Sequence, residues 1–252
     1  MDTPEAFTVF QDFPPAPQQP FRMDRHYLLY ASRGTMRLEA DGRDWTLPPA
    51  RAALIAADKE VLITLPQPLT ACSVLFAPDF VEAPPAPLAV FDISPLAREL
   101  VMETRAWGRD AGPLSPYAAS VYTTLAQVTW RLSTRPSPAV MPAGQSEAVR
   151  KALETMRATI AESATLEGIA DSVGVSPRSL TRKFSAELGM SWGEALRRLR
   201  ILEAIGLVAG TDMPITEVSL AVGYNALSAF NAAFRDLTGM TPTAYRQRSQ
   251  SA

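Results

Sequence analysis

The chain has 252 residues, 47% hydrophobic and 20% charged, with a formal net charge of −2. This composition excludes a disordered protein, and the longest apolar run, Ala52–Ala57, is too short to span a membrane. One histidine and one cysteine argue against a metal cage and against an internal disulfide. We therefore expect a cytoplasmic protein of about two domains, with no cofactor, no metal and no membrane partner.

The beginning of the chain is rich in proline. Five prolines fall within the first twenty residues, so we expect an irregular arm over residues 1–20. The first five residues are acidic and polar, which differs from a secretory leader and fits the cytoplasmic expectation.

Residues 21–80 have the pattern of an antiparallel β domain. Short apolar or alternating runs are separated by turn residues such as Arg33-Gly34 and Asp41-Gly42. The predicted strands are 27–31, 35–39, 45–47, 52–55, 61–65 and 71–76. Short strands at this spacing favour a small antiparallel barrel or jelly roll.

Two helices are predicted after the strands. Ser94-Pro95 and Ser115-Pro116 each combine a preferred N-cap residue with proline at the first helical position. We expect helices over about 94–106 and 115–133, which complete a domain over 21–134. The apolar stripe of the second helix either packs on its own domain or forms a dimer interface. The proline-rich segment 135–146 is predicted to be a linker.

The last hundred residues contain an internal duplication. Ile169–Ser176 is repeated 49 residues later by Val218–Asn225, and after one inserted residue the register continues at a spacing of 50. The matched pairs there are Leu180 with Phe230, Phe184 with Phe234 and Gly189 with Gly239.

Each copy has the pattern of a helix-turn-helix motif. In the first copy a short helix ends at Gly174, because glycine accepts the left-handed backbone, and Ser176-Pro177 begins a second helix. Gly223 has the equivalent place in the second copy. Two such motifs at constant spacing are unlike ordinary helical hairpins, and they predict a DNA-binding domain.

The boundaries follow from the same signals. We predict the two motifs at about 166–188 and 215–238, within a domain over 147–252. A capping box at Ser191–Glu194 opens the helix between them, which we place over about 192–208. At 1.5 Å per residue, this helix has the length needed to set two reading helices about one DNA turn apart.

The region from Glu147 to Arg248 resembles the DNA-binding domain of the AraC/XylS family of bacterial transcription factors. The resemblance lies in Ile215, Val218-Ser219, Val222-Gly223-Tyr224, Phe230, Phe234, Gly239-Met240-Thr241-Pro242 and Tyr245-Arg246. It implies two helix-turn-helix motifs joined by a long helix and bound to double-stranded DNA. The N-terminal β domain also resembles the cupin-like effector domain of such regulators, in the turn residues that separate its predicted hairpin strands. The expected fold class is α+β in two domains.

The candidate DNA-binding residues lie on the second helix of each motif. Net charge is −3 over residues 1–140 and +1 over 141–252, so positive charge must be concentrated on one face. Arg182 is the expected base reader, because a guanidinium can bond O6 and N7 of guanine, and Arg178 is the second choice. The other candidates are Ser176, Ser179, Thr181 and Lys183 in the first copy and Asn225, Leu227, Ser228, Asn231 and Arg235 in the second. We expect the first copy to supply most base discrimination.

The β domain offers candidates for an effector pocket. These are Arg22, His26, Tyr30, Arg37 and Trp45, although core packing is an alternative role for each aromatic residue. The histidine-rich ligand set of metal-dependent cupins is missing, so we expect no catalytic residues.

We therefore expect a non-enzymatic, sequence-specific transcriptional regulator that forms a homodimer and responds to a small-molecule effector. Its expected partners are promoter DNA and RNA polymerase; the sequence leaves activation and repression open, with activation as the working expectation. Two alternatives remain: a cupin-type enzyme with an accessory DNA-binding domain, and a dimeric regulator without an effector.

Overall fold

The computed structural model describes residues 3–162 and 165–250. The first two residues of the expected arm, and residues 163–164 and 251–252 of the expected DNA-binding domain, lie outside the described residues. The expected two-domain α+β class is confirmed, since antiparallel sheets form the N-terminal part of the chain and helices the C-terminal part.

The described strands are β1 (Ala6–Phe13), β2 (Ala16–Phe21), β3 (His26–Arg33), β4 (Met36–Ala40), β5 (Arg43–Leu47), β6 (Arg51–Ile55), β7 (Val61–Leu65), β8 (Leu69–Phe76), β9 (Leu88–Asp92) and β10 (Met141–Pro142). The described helices are α1 (Pro95–Glu103), α2 (Pro116–Ser133), α3 (Glu147–Ala158), α4 (Leu166–Ser172), α5 (Pro177–Leu188), α6 (Trp192–Gly210), α7 (Ile215–Ala221), α8 (Leu227–Thr238) and α9 (Pro242–Gln250). None of these helices is long and apolar enough to cross a membrane.

The chain divides into two compact units. The first consists mainly of residues 3–38 and 47–137. The second consists of Pro138–Arg248 together with Glu39–Thr46, the tip of the β4–β5 hairpin.

The first unit is built on a five-stranded sheet of order β1-β8-β3-β6-β9. Its antiparallel register pairs Leu28 of β3 with Leu54 of β6 and Val74 of β8. These residues are buried in one core cluster with side chains of α1 and α2, so the two helices cover this face of the sheet. Ser94 and Ser115 cap the helices through their hydroxyl oxygens, as the sequence predicts.

Two strands replace the irregular arm expected over residues 1–20. Strand β1 pairs with β8 along its full length, from Ala6 opposite Phe76 to Phe13 opposite Leu69. Strand β2 tolerates its prolines because it lies at the end of a sheet, pairs with β7 and has a register shift between Ala16 and Gln19. The expectation of an irregular arm was wrong because it considered the prolines without their pairing partners.

The tip of the β4–β5 hairpin packs within the second unit. Strand β10 pairs with β5, placing Met141 opposite Asp44, and the Ala143 N–H donates to the Gly42 carbonyl at 2.8 Å. Asp44 also forms an ion pair of 2.6 Å with Arg157 of α3, and these two side chains are 12% and 11% exposed. The segment predicted to be a linker therefore contains a two-residue strand that pairs with the hairpin.

The ion pair between Asp44 and Arg157 gives a stability prediction. Asp44→Ala leaves a nearly buried guanidinium without its partner, and we expect it to lower the free energy of unfolding by about 3 kcal/mol or more. The double variant Asp44→Ala/Arg157→Met leaves no buried charge and is expected to recover most of this loss. Urea unfolding of the two variants and the wild type measures both effects. Additive losses would contradict this account of the pair.

Candidate nucleic-acid interface

The first helix-turn-helix consists of α4, α5 and the turn between them. Gly174 has a φ of +70°. Its N–H donates to the Asp171 carbonyl, and the Val175 N–H donates to the Ala170 carbonyl at 3.0 Å. This is the Schellman arrangement that ends a helix with a glycine in the left-handed region.

The second helix-turn-helix, formed by α7 and α8, repeats this turn. Gly223 has a φ of +81°, and its N–H donates to the Leu220 carbonyl at 2.9 Å. The Tyr224 N–H donates to the Ser219 carbonyl at 2.9 Å. The duplication in the sequence is therefore also a duplication of backbone hydrogen bonds.

The second helix of each motif is anchored by apolar residues four positions apart. Leu180, Phe184 and Leu188 of α5 are buried, and so are Phe230 and Phe234 of α8. Both helices pack against α6, which joins the motifs. Because one face of α5 and of α8 is held in this way, the opposite face is left for other contacts.

The outer face of α5 carries most of the residues predicted from the first copy. Arg178 and Arg182, one helical turn apart, are both exposed, and Thr181 is exposed between them. Ser176 is exposed, and its hydroxyl oxygen accepts the Ser179 N–H as the N-cap of α5. Ser179 itself is half-buried.

Lys183 differs from the two arginines. Its side chain is half-buried, and its Nζ lies 3.8 Å from a carboxylate oxygen of Glu187. The contact of Lys183 with DNA stays a prediction.

The outer face of α8 is less basic. Leu227, Ser228 and Arg235 are exposed, as is Asn225 in the turn before α8, while Asn231 is half-buried. Arg235 is the one basic residue of α8, whereas α5 contains three. Ala226 stands at the N-cap of α8 and offers no side-chain hydrogen bond, unlike Ser176 in the first copy. The two copies thus share a backbone but differ in their surface chemistry.

Glu187, which sequence reasoning missed, links α5 to the start of α3. Its carboxylate accepts hydrogen bonds from the Gln145 and Ser146 N–H groups, both at 2.8 Å, and from the Ser146 hydroxyl at 2.7 Å. Burial alone raises the pKa of Glu187, but these hydrogen bonds and the nearby Lys183 outweigh it and lower the pKa below 4.5. Because its partners are 41 and 42 residues away, no local pattern indicates this role.

Helix α3 was also missed, although the sequence contains a signal for it. Ser146 is its N-cap, and Val149, Ala152, Leu153 and Met156 form an apolar stripe at helical spacing, buried in the structure. This stripe lets α3 pack against α4, α5 and α6.

The five effector candidates have different surroundings. Arg22 is exposed and forms an ion pair with Asp58. The buried His26 accepts the Ala57 N–H at Nδ1, and Tyr30 belongs to the core beneath α1 and α2. Arg37 is half-buried in β4, and Trp45 is buried within the hairpin tip.

Cys72 also lies in the core of the first unit, where burial raises the pKa of its thiol to about 11. Across residues 3–162 and 165–250, no group of three or more His, Cys, Asp or Glu side chains is placed to hold a metal ion.

Residues 169–248 match the family model of a helix-turn-helix domain. The transcriptional activator RhaR of Enterobacter sp. (strain 638) is 31% identical over 108 residues, which are 43% of this chain. The transcriptional regulator GadX of Escherichia coli O6:H1 is 37% identical over 90 residues, or 36% of this chain. Residues 169–248 form an AraC-type helix-turn-helix domain.

These two relatives match only part of their own length. The matched regions cover 38% of RhaR and 32% of GadX, well under two-thirds of either protein. A solved AraC-type DNA-binding protein from Chromobacterium violaceum is 32% identical, with a TM-score of 0.40; the match covers 42% of this chain and 95% of that one.

The two turn glycines of the AraC-type domain are expected to respond differently to alanine. Gly174→Ala places a Cβ in open space and should cost about 1–2 kcal/mol, from the left-handed backbone alone. Gly223→Ala should cost more, because its Cβ would lie 2.6 Å from Arg200 Nη2 and 2.7 Å from the Ile160 carbonyl oxygen. Chemical denaturation measures both, and equal losses would argue against this difference.

The hydrogen bonds to Glu187 predict a pH dependence. Near neutral pH, Glu187→Gln should lower the free energy of unfolding by about 1–2 kcal/mol. The pKa of Glu187 is lowered by folding, so the stabilisation is present above pH 4.5 and is lost as the pH falls through the folded-state pKa. Unfolding at several pH values tests this, with the exposed Glu154→Gln as control. A difference that persists at low pH would contradict the prediction.

Proposed function

We propose that this protein is a sequence-specific, DNA-binding transcriptional regulator of the AraC type, without enzymatic activity. The observation that carries the proposal is the pair of matched helix-turn-helix motifs on α6, with two exposed arginines on the outer face of α5. The domain match and the regulators to which this chain is similar support it.

In this proposal α5 enters the major groove and supplies most of the base discrimination. Arg182 reads guanine, with Arg178 one turn earlier on the same face. Ser176, Ser179 and Lys183 contact phosphate, and Thr181 lies between the two arginines.

Helix α8 occupies a second major groove with fewer charged contacts. Asn231 pairs with adenine, and Arg235 contacts phosphate or a base. Asn225, in the turn before α8, and Leu227 and Ser228, in its first turn, complete the surface through shape-dependent contacts.

The β domain is proposed to control DNA binding in response to a small-molecule effector, with Arg22, His26, Tyr30, Arg37 and Trp45 as candidate ligands. The β4–β5 hairpin supports this coupling, because its strands continue from the β domain while its tip packs within the unit that contains both motifs. We further propose a cytoplasmic homodimer that associates through α2 and activates transcription together with RNA polymerase.

Substitution of Arg182 tests the DNA-binding proposal. Arg182→Ala should weaken binding to the operator by roughly 1–3 kcal/mol and relax the preference at one or two base pairs, because one bidentate base contact is lost. Arg109→Ala removes an exposed arginine of the first unit and serves as the matched control. Binding titrations against single-base operator variants measure both. Unchanged affinity and preference would overturn the assignment of α5 as the reading helix.

A further inference from the structure

Arg200 of α6 lies directly against the turn of the second helix-turn-helix. A Cβ added at Gly223 would be 2.6 Å from its Nη2 and 2.8 Å from its Cζ. The guanidinium carbon also lies 5.8 Å from the centre of the Tyr224 ring. The guanidinium therefore fills the space that glycine leaves open and contacts both residues of the turn.

The same side chain reaches the segment that precedes the first helix-turn-helix. Arg200 Nη2 donates to the Glu162 carbonyl at 3.2 Å. The neighbouring Ile160 carbonyl lies 2.7 Å from the Cβ position at Gly223. This segment follows α3 and precedes α4 in the chain. The guanidinium of Arg200 therefore contacts both the segment before the first motif and the turn of the second motif.

Stability alone does not account for an arginine at this position. The side chain is half-buried, and its Nε is shielded from solvent without a hydrogen-bond partner, which is unfavourable. An apolar side chain of similar length would fill the same space without that penalty. An apolar side chain would lack the directed hydrogen bond to the Glu162 carbonyl, which fixes the position of this segment relative to the turn of the second motif.

We propose that Arg200 is a positioning residue that sets the separation and rotation of the two motifs, and thereby the half-site spacing that the protein accepts in DNA. The proposal rests on the proposed function. One base pair changes the separation of two half-sites by about 3.4 Å and their rotation by roughly 35°. A rigid pair of motifs rejects such a change, whereas a loosened pair accommodates it.

Arg197 provides a matched control on the same helix. Its side chain is 61% exposed, and its Nη2 lies 3.9 Å from a carboxylate oxygen of Asp236 on α8. An exposed pair at this distance constrains geometry little. Arg197 and Arg200 thus have the same charge and lie on the same helix but differ in burial. Arg197 is exposed and interacts with the Tyr224 side chain, whereas Arg200 is half-buried and lies against Gly223 and the Glu162 carbonyl.

The test uses the full chain and the operator that the wild type protects, with versions in which one base pair is inserted or deleted between the half-sites. Arg200→Met should fold with near wild-type melting and bind the native operator about tenfold more weakly. The further loss of affinity of Arg200→Met on the altered operators, relative to its affinity for the native operator, should be several-fold smaller than the same loss for the wild type. Arg197→Met should behave as the wild type on all three. Arg200→Lys, which keeps the charge without the planar fork, should also lose spacing discrimination.

A folded Arg200→Met that discriminates spacing as the wild type does overturns the proposal. If Arg200→Met does not fold, Arg200→Lys decides the question by the same comparison. A wild type that binds no DNA in a sequence-dependent way would instead contradict the proposed function, so the two failures are distinguishable.

Discussion

The packing of α6 is the constraint on which the C-terminal unit depends. Leu199, Leu202 and Ile205 are among its buried residues, and the helix contacts α3, α5, α7 and α8. Its polar contacts diverge as well: Arg198 donates to the carbonyls of Pro138 and Val140, while Arg200 donates to Glu162. One helix thus fixes the segment before α3 and both helix-turn-helix motifs. The relative position of α5 and α8 is therefore fixed only to the extent that this packing is rigid.

The two motifs have the same backbone conformation at the turn, but their exposed side chains differ in chemistry. Their turns have the same glycine conformation and the same pattern of hydrogen bonds. Arg178 and Arg182 make the first surface basic, while α8 presents Arg235 next to the exposed Asp236, among otherwise uncharged residues. In our proposal the first motif supplies contact energy and base discrimination, and the second depends more on being held at the correct place. This division gives Arg200 its proposed importance.

Local signals in the sequence predicted the motifs well. Gly174 and Gly223 end helices by adopting a backbone that other residues avoid, and Ser94, Ser115 and Ser176 act as N-caps within three residues of their partners. The misses have a different origin. Pairing of β1 with β8 joins residues about 60 positions apart, and Asp44 lies 113 positions from Arg157. A pattern within a short stretch of sequence does not predict such contacts. The strands of the arm and the role of the hairpin tip could therefore not be predicted.

We propose that α6 holds the two reading helices so that they contact successive turns of one duplex. Guanine methylation interference on the operator, with the full-length protein, tests it most directly. The account predicts two groups of interfering major-groove positions on one face of the DNA, centred roughly 10 base pairs apart, with the stronger group at the half-site read by α5. A single group of positions, or two groups on opposite faces of the duplex, would contradict it.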